Sequence, residues 1–262
     1  MRILFLGDVV GRPGRRAVAR LLPRLIEREG VEFVVANCEN ASGGKGIDPE
    51  GAEELYDAGA DVLTSGNHVW QHTAIIEYMG DHSRLLRPAN FPAGVPGIGF
   101  TVQRARRVDV AVGVVNVIGR VFMAPADCPF RVAEAAIAAV RADASVIVVD
   151  MHAEATSEKV GMGRFLDGKV SAVVGSHTHV QTADEAVLAG GTAYLTDAGM
   201  CGPEESVLGV KTEQVLRRFL TQMPTRFEVA PGPVLVQGAL IDVDATTGRA
   251  IGIRRIRERV LQ

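Results

Sequence analysis

The hydrophobic positions fall into short runs that alternate with segments of helical period. RILFLG (2–7) is followed by RRAVARLLPRLIERE (15–29), in which apolar residues recur at roughly helical spacing. EFVVAN (32–37) precedes PEGAEELYDAG (49–59), and DVLTSG (61–66) precedes a helical segment around 71–79. Farther on, VAEAAIAAVRAD (132–143) leads into SVIVVD (145–150), and VSAVVG (170–175) follows a shorter connection. This alternation predicts parallel strands joined by helices. GIGFTVQ, VDVAVGVVNVIG, PVLVQGALIDVD and the closing IGIRRIRERV break the pattern and predict antiparallel hairpin strands. The sum is a mixed α/β domain with a second sheet. No repeat, low-complexity segment or Ser/Pro-rich linker divides it, so residues 1–262 are expected to form a single domain.

The composition, 47% hydrophobic and 23% charged, supports a sizeable core. No apolar run approaches the ~18 residues of a membrane span, and MRILFLGDVVGR turns polar too soon for a secretory signal. A cytoplasmic protein without a membrane partner is expected. Cys38, Cys128 and Cys201 form neither a disulfide framework nor a CxxC pattern. A net charge of −3 gives no broad attraction for nucleic acid, so no stable nucleic-acid binding is expected. Homo-oligomerisation stays open.

The polar residues at the ends of the runs change the picture. RILFLG ends in Asp8, EFVVANC in Glu39 and Asn40, DVLTSG in Asn67 and His68, SVIVVDM in His152, and SAVVGS in His177 and His179. Ligands of open α/β sheets bind outside the carboxyl ends of the strands, and parallel neighbours lie ~4.8 Å apart. These groups would therefore converge along one edge. Taken singly, a strand-end Asp or Asn is more often a helix N-cap, and a lone His a hydrogen-bonded structural residue. Packing alone does not call for the whole set. Carboxylate, amide and imidazole together suit zinc, manganese or iron.

In VVGSHTHV (173–180), an extended backbone would face His177 and His179 the same way, ~6.5–7 Å apart. That is the scale on which each could hold a different ion of a pair ~3.5–4 Å apart, although one ion could also take both. Gly7, Gly11 and Gly14 are not spaced as a dinucleotide loop, and Asp8 would repel a pyrophosphate. SGGKG (42–46) could cradle a phosphate with its amides and Lys45, but a glycine-rich turn with a solvated lysine is the plainer account. His72 and His82 are expected in loops or at the surface. The loop after TAYL, with Asp197, Gly199 and Cys201, is expected to frame the substrate pocket.

With these residues in view, the sequence resembles the calcineurin-like metallophosphoesterase superfamily. Its GD, GNH and GHxH blocks correspond to GD at the end of the first run, GNH at 66–68 and GSHTH at 175–179. GDVVGRPGR, ANCEN, GNHVW, DMHAEATSEK, GSHTHVQTAD and TDAGMCGP are similar to one bacterial branch, described as two-metal phosphodiesterases of 2′,3′-cyclic and sometimes 3′,5′-cyclic nucleotides. The similarity runs from residue 1 to about 210. It implies a four-layer α-β-β-α sandwich of two mixed β-sheets flanked by helices. Three positions depart from the superfamily pattern: Val10 replaces the histidine of DxH, Glu39 replaces the bridging Asp, and Val69 replaces the acidic residue after GNH.

The resemblance implies two divalent or trivalent metal ions, iron or manganese first and zinc as the alternative. One would be held by Asp8, Glu39, Asn40 and His179, with Asn40 filling the gap left by Val10. The other would be held by Glu39, Asn67, His152 and His177. A hydroxide bridging the ions would attack phosphorus, and His68 would protonate the leaving group or contact a phosphoryl oxygen. No substrate-binding residue is assigned. A phosphomonoesterase or phosphoprotein phosphatase at the same centre is the rival enzyme, and a metal-containing regulatory protein with weak catalysis is the rival outside catalysis. Cys38 alternates with Glu39 and should point away from the metals.

Overall fold

The first apolar run forms strand β1 (Arg2–Leu6) in a computed structural model that describes residues 1–261. The two-residue strand β2 (Asp8–Val9) follows it. Helix α1 (Gly11–Glu29) starts four residues ahead of the expected position, because its first turn is built from glycine rather than from an apolar stripe. A Cβ at Gly14 would fall 2.2 Å from the carbonyl oxygen of Cys201, so the helix can approach that strand only with glycine there. Strand β3 (Phe33–Asn37), helix α2 (Pro49–Ala58), strand β4 (Val62–Thr64) and helix α3 (Ala74–Asp81) continue the alternation. Asp48 caps α2 by accepting the Gly51 N–H at 2.8 Å.

The chain then builds a second sheet. It comprises β5 (Phe100–Arg104), β6 (Ala111–Ile118), β7 (Val146–His152), β8 (Ala172–Ser176), β9 (Ala186–Val187) and β10 (Ala193–Leu195). Helices α4 (Pro129–Val140) and α5 (Thr156–Phe165) connect its middle strands. The chain returns to the first sheet with β11 (Met200–Pro203), helix α6 (Thr212–Thr221), β12 (Val234–Val243) and β13 (Ala250–Val260).

The first sheet runs β2-β11-β12-β1-β3-β4, with β13 beside β12, and the second runs β5-β6-β7-β8-β10-β9. Both are mixed. β1, β3 and β4 are parallel while β12 is antiparallel to β1, and β6, β7, β8 and β10 are parallel while β5 and β9 are antiparallel edges. The expected antiparallel pairs, β5 with β6 and β12 with β13, are present.

Strand alternation sorts the side chains into layers. Ile3 and Phe5 meet Val112, Val114, Val146 and Val148 between the two sheets. Leu4 and Leu6 face the other way, onto Val18, Leu22 and Leu25 of α1 and Leu55 of α2. On the far side, Ile147 and Val149 pack against Ala133, Ile137 and Val140 of α4. The result is the four-layer sandwich. α5 and α6 lie outside the predicted elements. Gly161 and Gly163 interrupt any stripe in α5, and only Val215 of α6 is buried. Among the described residues no helix is long and apolar enough to cross a membrane.

The polar run-ends do not share one edge of one sheet, as the run-by-run alternation suggested. β1, β3 and β4 belong to the first sheet, and β7 and β8 to the second. Residues at the carboxyl ends of strands in the two sheets nonetheless meet, Asp8 with His177 and Asn37 with Asp150, and the site lies there.

Candidate metal centre

Asp8, the first residue of β2, is fully buried. Its Oδ2 accepts the His177 N–H at 2.9 Å. Its Oδ1 is buried with no hydrogen-bond partner among the described residues, 3.8 Å from both His152 Nδ1 and His179 Nε2. Val10 is buried and forms a parallel bridge to Asn40, with the Gly11 N–H donating to the Asn40 carbonyl at 2.8 Å. That bridge delivers the Asn40 side chain beside Asp8. The Asn40 Oδ1 lies 3.1 Å from His179 Nε2, and its Nδ2 donates to the Gly44 carbonyl at 3.0 Å.

Glu39 ties down the turn after β4. Its Oε2 accepts the Gly66 N–H at 2.5 Å, while Oε1 accepts the His68 N–H and lies 2.9 Å from His68 Nδ1. Val69 is wholly buried in the core under α1–α3, so the imidazole of His68 is oriented by Glu39 instead of by an acidic neighbour. Gly66 is required by a close approach, since a Cβ there would fall 2.1 Å from His152 Nε2. Asn67 stands apart. It is exposed, and among the described residues its amide meets only the ring nitrogens of His68, at 3.3 and 3.5 Å.

The histidine pair is not on an extended strand. β8 ends at Ser176, and His177 (φ 98°) and His179 (φ 64°) both adopt positive φ, unusual for side chains of that size. Each such residue costs on the order of 1–3 kcal/mol, and the loop is held by buried partners. Asp197 Oδ2 accepts from the Thr178 N–H at 3.1 Å and Oγ1 at 2.7 Å, and from Lys159 Nζ at 2.6 Å, with both charged side chains buried. The two rings consequently diverge. His177 Nδ1 lies 3.1 Å from His152 Nε2 and its Nε2 lies 3.1 Å from Glu154, while His179 Nδ1 lies 3.0 Å from the Leu208 carbonyl.

Asp197 therefore anchors the loop instead of framing a pocket, and Cys201 is buried within β11. Cys38 also points away, its Sγ donating to the Thr64 carbonyl at 3.0 Å. His72 holds the 42–46 turn, with Nε2 3.1 Å from the Ser42 carbonyl and 3.0 Å from that of Lys45. His82 stacks on Tyr78 at the end of α3.

A polar network beneath the site is not evident from the hydrophobic pattern. Asp150 accepts from Ser176 Oγ at 2.6 Å, from Asn37 Nδ2 at 2.9 Å and from Thr64 Oγ1, and Ser176 Oγ lies 2.9 Å from His152 Nδ1. One signal was available: a carboxylate two residues before His152 shares its face of the strand. Lys159 and Glu154 gave none beyond their place in the DMHAEATSEK block.

Burial pushes the carboxyls of Asp8 and Glu39 above the usual range, Asp8 strongly, and holds Asp150 at about 6. Burial also lowers the imidazoles, His152 strongly and His177 and His179 less so. Four carboxyl groups, on Asp8, Glu39, Asp150 and Asp197, are buried around the site, and among the described residues the one buried ammonium is that of Lys159, paired with Asp197. The shift of the histidines favours the neutral imidazole, the form that ligates metals. Among the described residues no three His, Cys, Asp or Glu side chains stand as a ready-made cage; the donors hydrogen-bond one another in pairs. The orphaned Asp8 oxygen, the shortage of positive charge and the oxygen–imidazole chemistry nevertheless fit bound cations.

A cleft of about 260 Å³ opens over Glu39, Asn40, His68, Glu154, His177 and His179. A second cavity of about 430 Å³ shares Asn40, His179 and Leu208 with it and continues to the 42–45 turn and to residues 226–229.

The model of the YmdB-like protein family matches residues 4–256. A 2′,3′-cyclic-nucleotide 2′-phosphodiesterase of Bacillus subtilis (strain 168) is 46% identical over 256 residues, 98% of this chain and 96% of that one. A crystal structure of a hypothetical protein from Thermus thermophilus aligns with a TM-score of 0.92 at 39% identity, over 99% of each chain. The fold recurs in a 5′-nucleotidase from Candida albicans SC5314, with a TM-score of 0.57 at 10% identity over 98% of this chain and 50% of that one.

Proposed function

This chain belongs to the YmdB-like family, and on that premise we propose that it is a metal-dependent phosphodiesterase that opens 2′,3′-cyclic nucleotides, with 3′,5′-cyclic nucleotides as secondary substrates. The observation that carries the reading is the meeting of Asp8, Glu39, Asn40, His152, His177 and His179 between two sheet edges, with a buried carboxylate oxygen left unpartnered. The activity printed for the Bacillus subtilis relative supports the substrate class.

On this reading Asp8, Glu39, Asn40 and His179 would hold one ion, and Glu39, His152 and His177 would hold the other. Asn67, exposed and with its amide on the His68 ring, would have to turn off that ring to join the second group. Iron or manganese ions bound there would supply Lewis-acid activation of water and offset charge on the phosphoryl oxygens. The protein's own part is to position the ester and move a proton. Water adds to phosphorus and gives up one proton to solvent, one ring P–O bond breaks, and the departing ribose oxygen takes a proton from His68 Nε2, which solvent then restores. Glu39 Oε1, at Nδ1 of the same ring, holds that imidazole toward the cleft. The proposal places this reaction in the cytoplasm, in keeping with three unpaired cysteines.

The test is turnover of 2′,3′-cyclic AMP by manganese- or iron-reconstituted protein, with 4-nitrophenyl phosphate alongside. Metal-dependent ring opening with little monoester cleavage is expected, and His68→Ala should lower kcat by roughly 100-fold or more. A loss of only a few-fold would remove His68 from proton transfer. Preferential monoester cleavage would make the enzyme a phosphatase.

A further inference from the structure

The larger cavity carries groups for which ring opening at the metal centre has no use. Lys45 and Arg226 both line it, and neither has a carboxylate within ion-pair range among the described residues. The nearby acid, Glu228, is already taken by Lys211 Nζ at 2.6 Å. Lys45 is presented on a fixed turn. The Ser42 N–H donates to the Gly46 carbonyl at 2.9 Å, the Gly46 N–H donates to the Glu39 carbonyl at 2.6 Å, and His72 closes on the carbonyls of Ser42 and Lys45. The amides of Gly43 and Gly44, on the same wall, have no acceptor within hydrogen-bond range among the described residues. Two unpaired cations and two free amides describe an anion site. It is continuous with the metal centre through Asn40 and His179.

Resting on the phosphodiesterase reading, we propose that this cavity binds a second phosphate of the substrate, the one on the 5′ oxygen of the nucleoside whose 2′,3′-cyclic phosphate lies at the metal centre. Phe227, next to Arg226 on the wall and 41% exposed, offers a face for the base. A mononucleoside cyclic phosphate leaves this phosphate position empty, so the preferred substrate class is a 5′-phosphorylated 2′,3′-cyclic nucleotide. The same chemistry occurs in a free mononucleotide and at the 3′ end of a short oligonucleotide. Recognition of one terminal nucleotide needs no broad basic surface and is compatible with a net charge of −3.

The experiment compares kcat and KM of the metal-loaded enzyme on adenosine 2′,3′-cyclic phosphate, on the same compound bearing a 5′-phosphate, and on the dinucleotide ApA with a 2′,3′-cyclic end. The 5′-phosphate should improve kcat/KM about tenfold, through KM, with the advantage shrinking as salt rises. In the Lys45→Ala/Arg226→Ala double variant the ratio between the first two substrates should fall to near one. An equal advantage for the dinucleotide would identify oligonucleotide ends as the source, and an advantage confined to the mononucleotide would identify free nucleotides. A wild-type ratio near one, or a preference that survives in the double variant, would overturn the subsite. Turnover of none of the three would sink the phosphodiesterase reading itself, and the subsite with it.

Discussion

Ser176 has one hydroxyl proton, and Asp150 Oδ1 takes it at 2.6 Å. The serine oxygen is then left to accept from His152 Nδ1 at 2.9 Å, which places that ring's proton on Nδ1 and leaves Nε2 with its lone pair. Ser176→Ala is therefore expected to weaken metal affinity about 10–100-fold, read by metal titration of the folded protein. Thr64→Val is the control, because Thr64 also grips Asp150 but does not touch His152. It should stay within a few-fold of wild type, and equal losses in both variants would reduce the network to structural support. At this scale the sequence was partly legible. A polar residue that ends an apolar run is conspicuous, which is why Asp8, Glu39 and His152 could be picked out. Asp150 shares a strand face with His152 and could be read from that alternation, whereas Ser176 inside its run acquires meaning only when the strand beside it is known.

Elements were easier to find than to place. β1, β3, β4, β7 and β8 and the helices α1 to α4 follow from apolar period and length, whereas membership of two sheets depends on pairing between distant segments. The segment 177–179 departs from its expected extended form because the hydrogen bonds its backbone N–H groups donate to Asp8 and Asp197 outweigh the local preference of the chain. Gly66 makes a comparable demand at the end of β4. With 2.1 Å between an added Cβ and His152 Nε2, Gly66→Ala must displace the imidazole or the turn that Glu39 holds. The variant should fold, since the first-sheet core lies below the turn, but bind metal at least tenfold more weakly. Retention of full metal content would show that the turn yields without cost.

Across the whole molecule, the buried charges make metal binding a matter of pH. Without cations, the raised carboxyls of Asp8 and Glu39 mean that the folded chain holds protons the unfolded chain would release above about pH 4, so stability is lost as pH rises. The lowered imidazoles of His152, His177 and His179 act in the opposite sense, and their contribution is lost as pH falls below about 6.5. Bound cations remove the carboxylate cost and require neutral imidazoles, so both groups make metal stabilisation grow with pH. The Tm difference between metal-loaded and chelated protein should widen from pH 5 to 7.5, reaching roughly 10 °C at saturating metal. A difference independent of pH would mean that these side chains are not the ligands.

The order of the first sheet has a consequence for how the protein is made. His179 is the last of the proposed metal donors along the chain, yet β12 (Val234–Val243), the strand between β1 and β11, is translated later. A nascent chain therefore displays every donor before β12, the strand that joins β1 to the β2–β11 pair holding Asp8, has left the ribosome. Stable metal capture is therefore expected only once β12 has emerged, and a ribosome stalled between the two points would carry the proposed ligands without the completed first sheet to hold them.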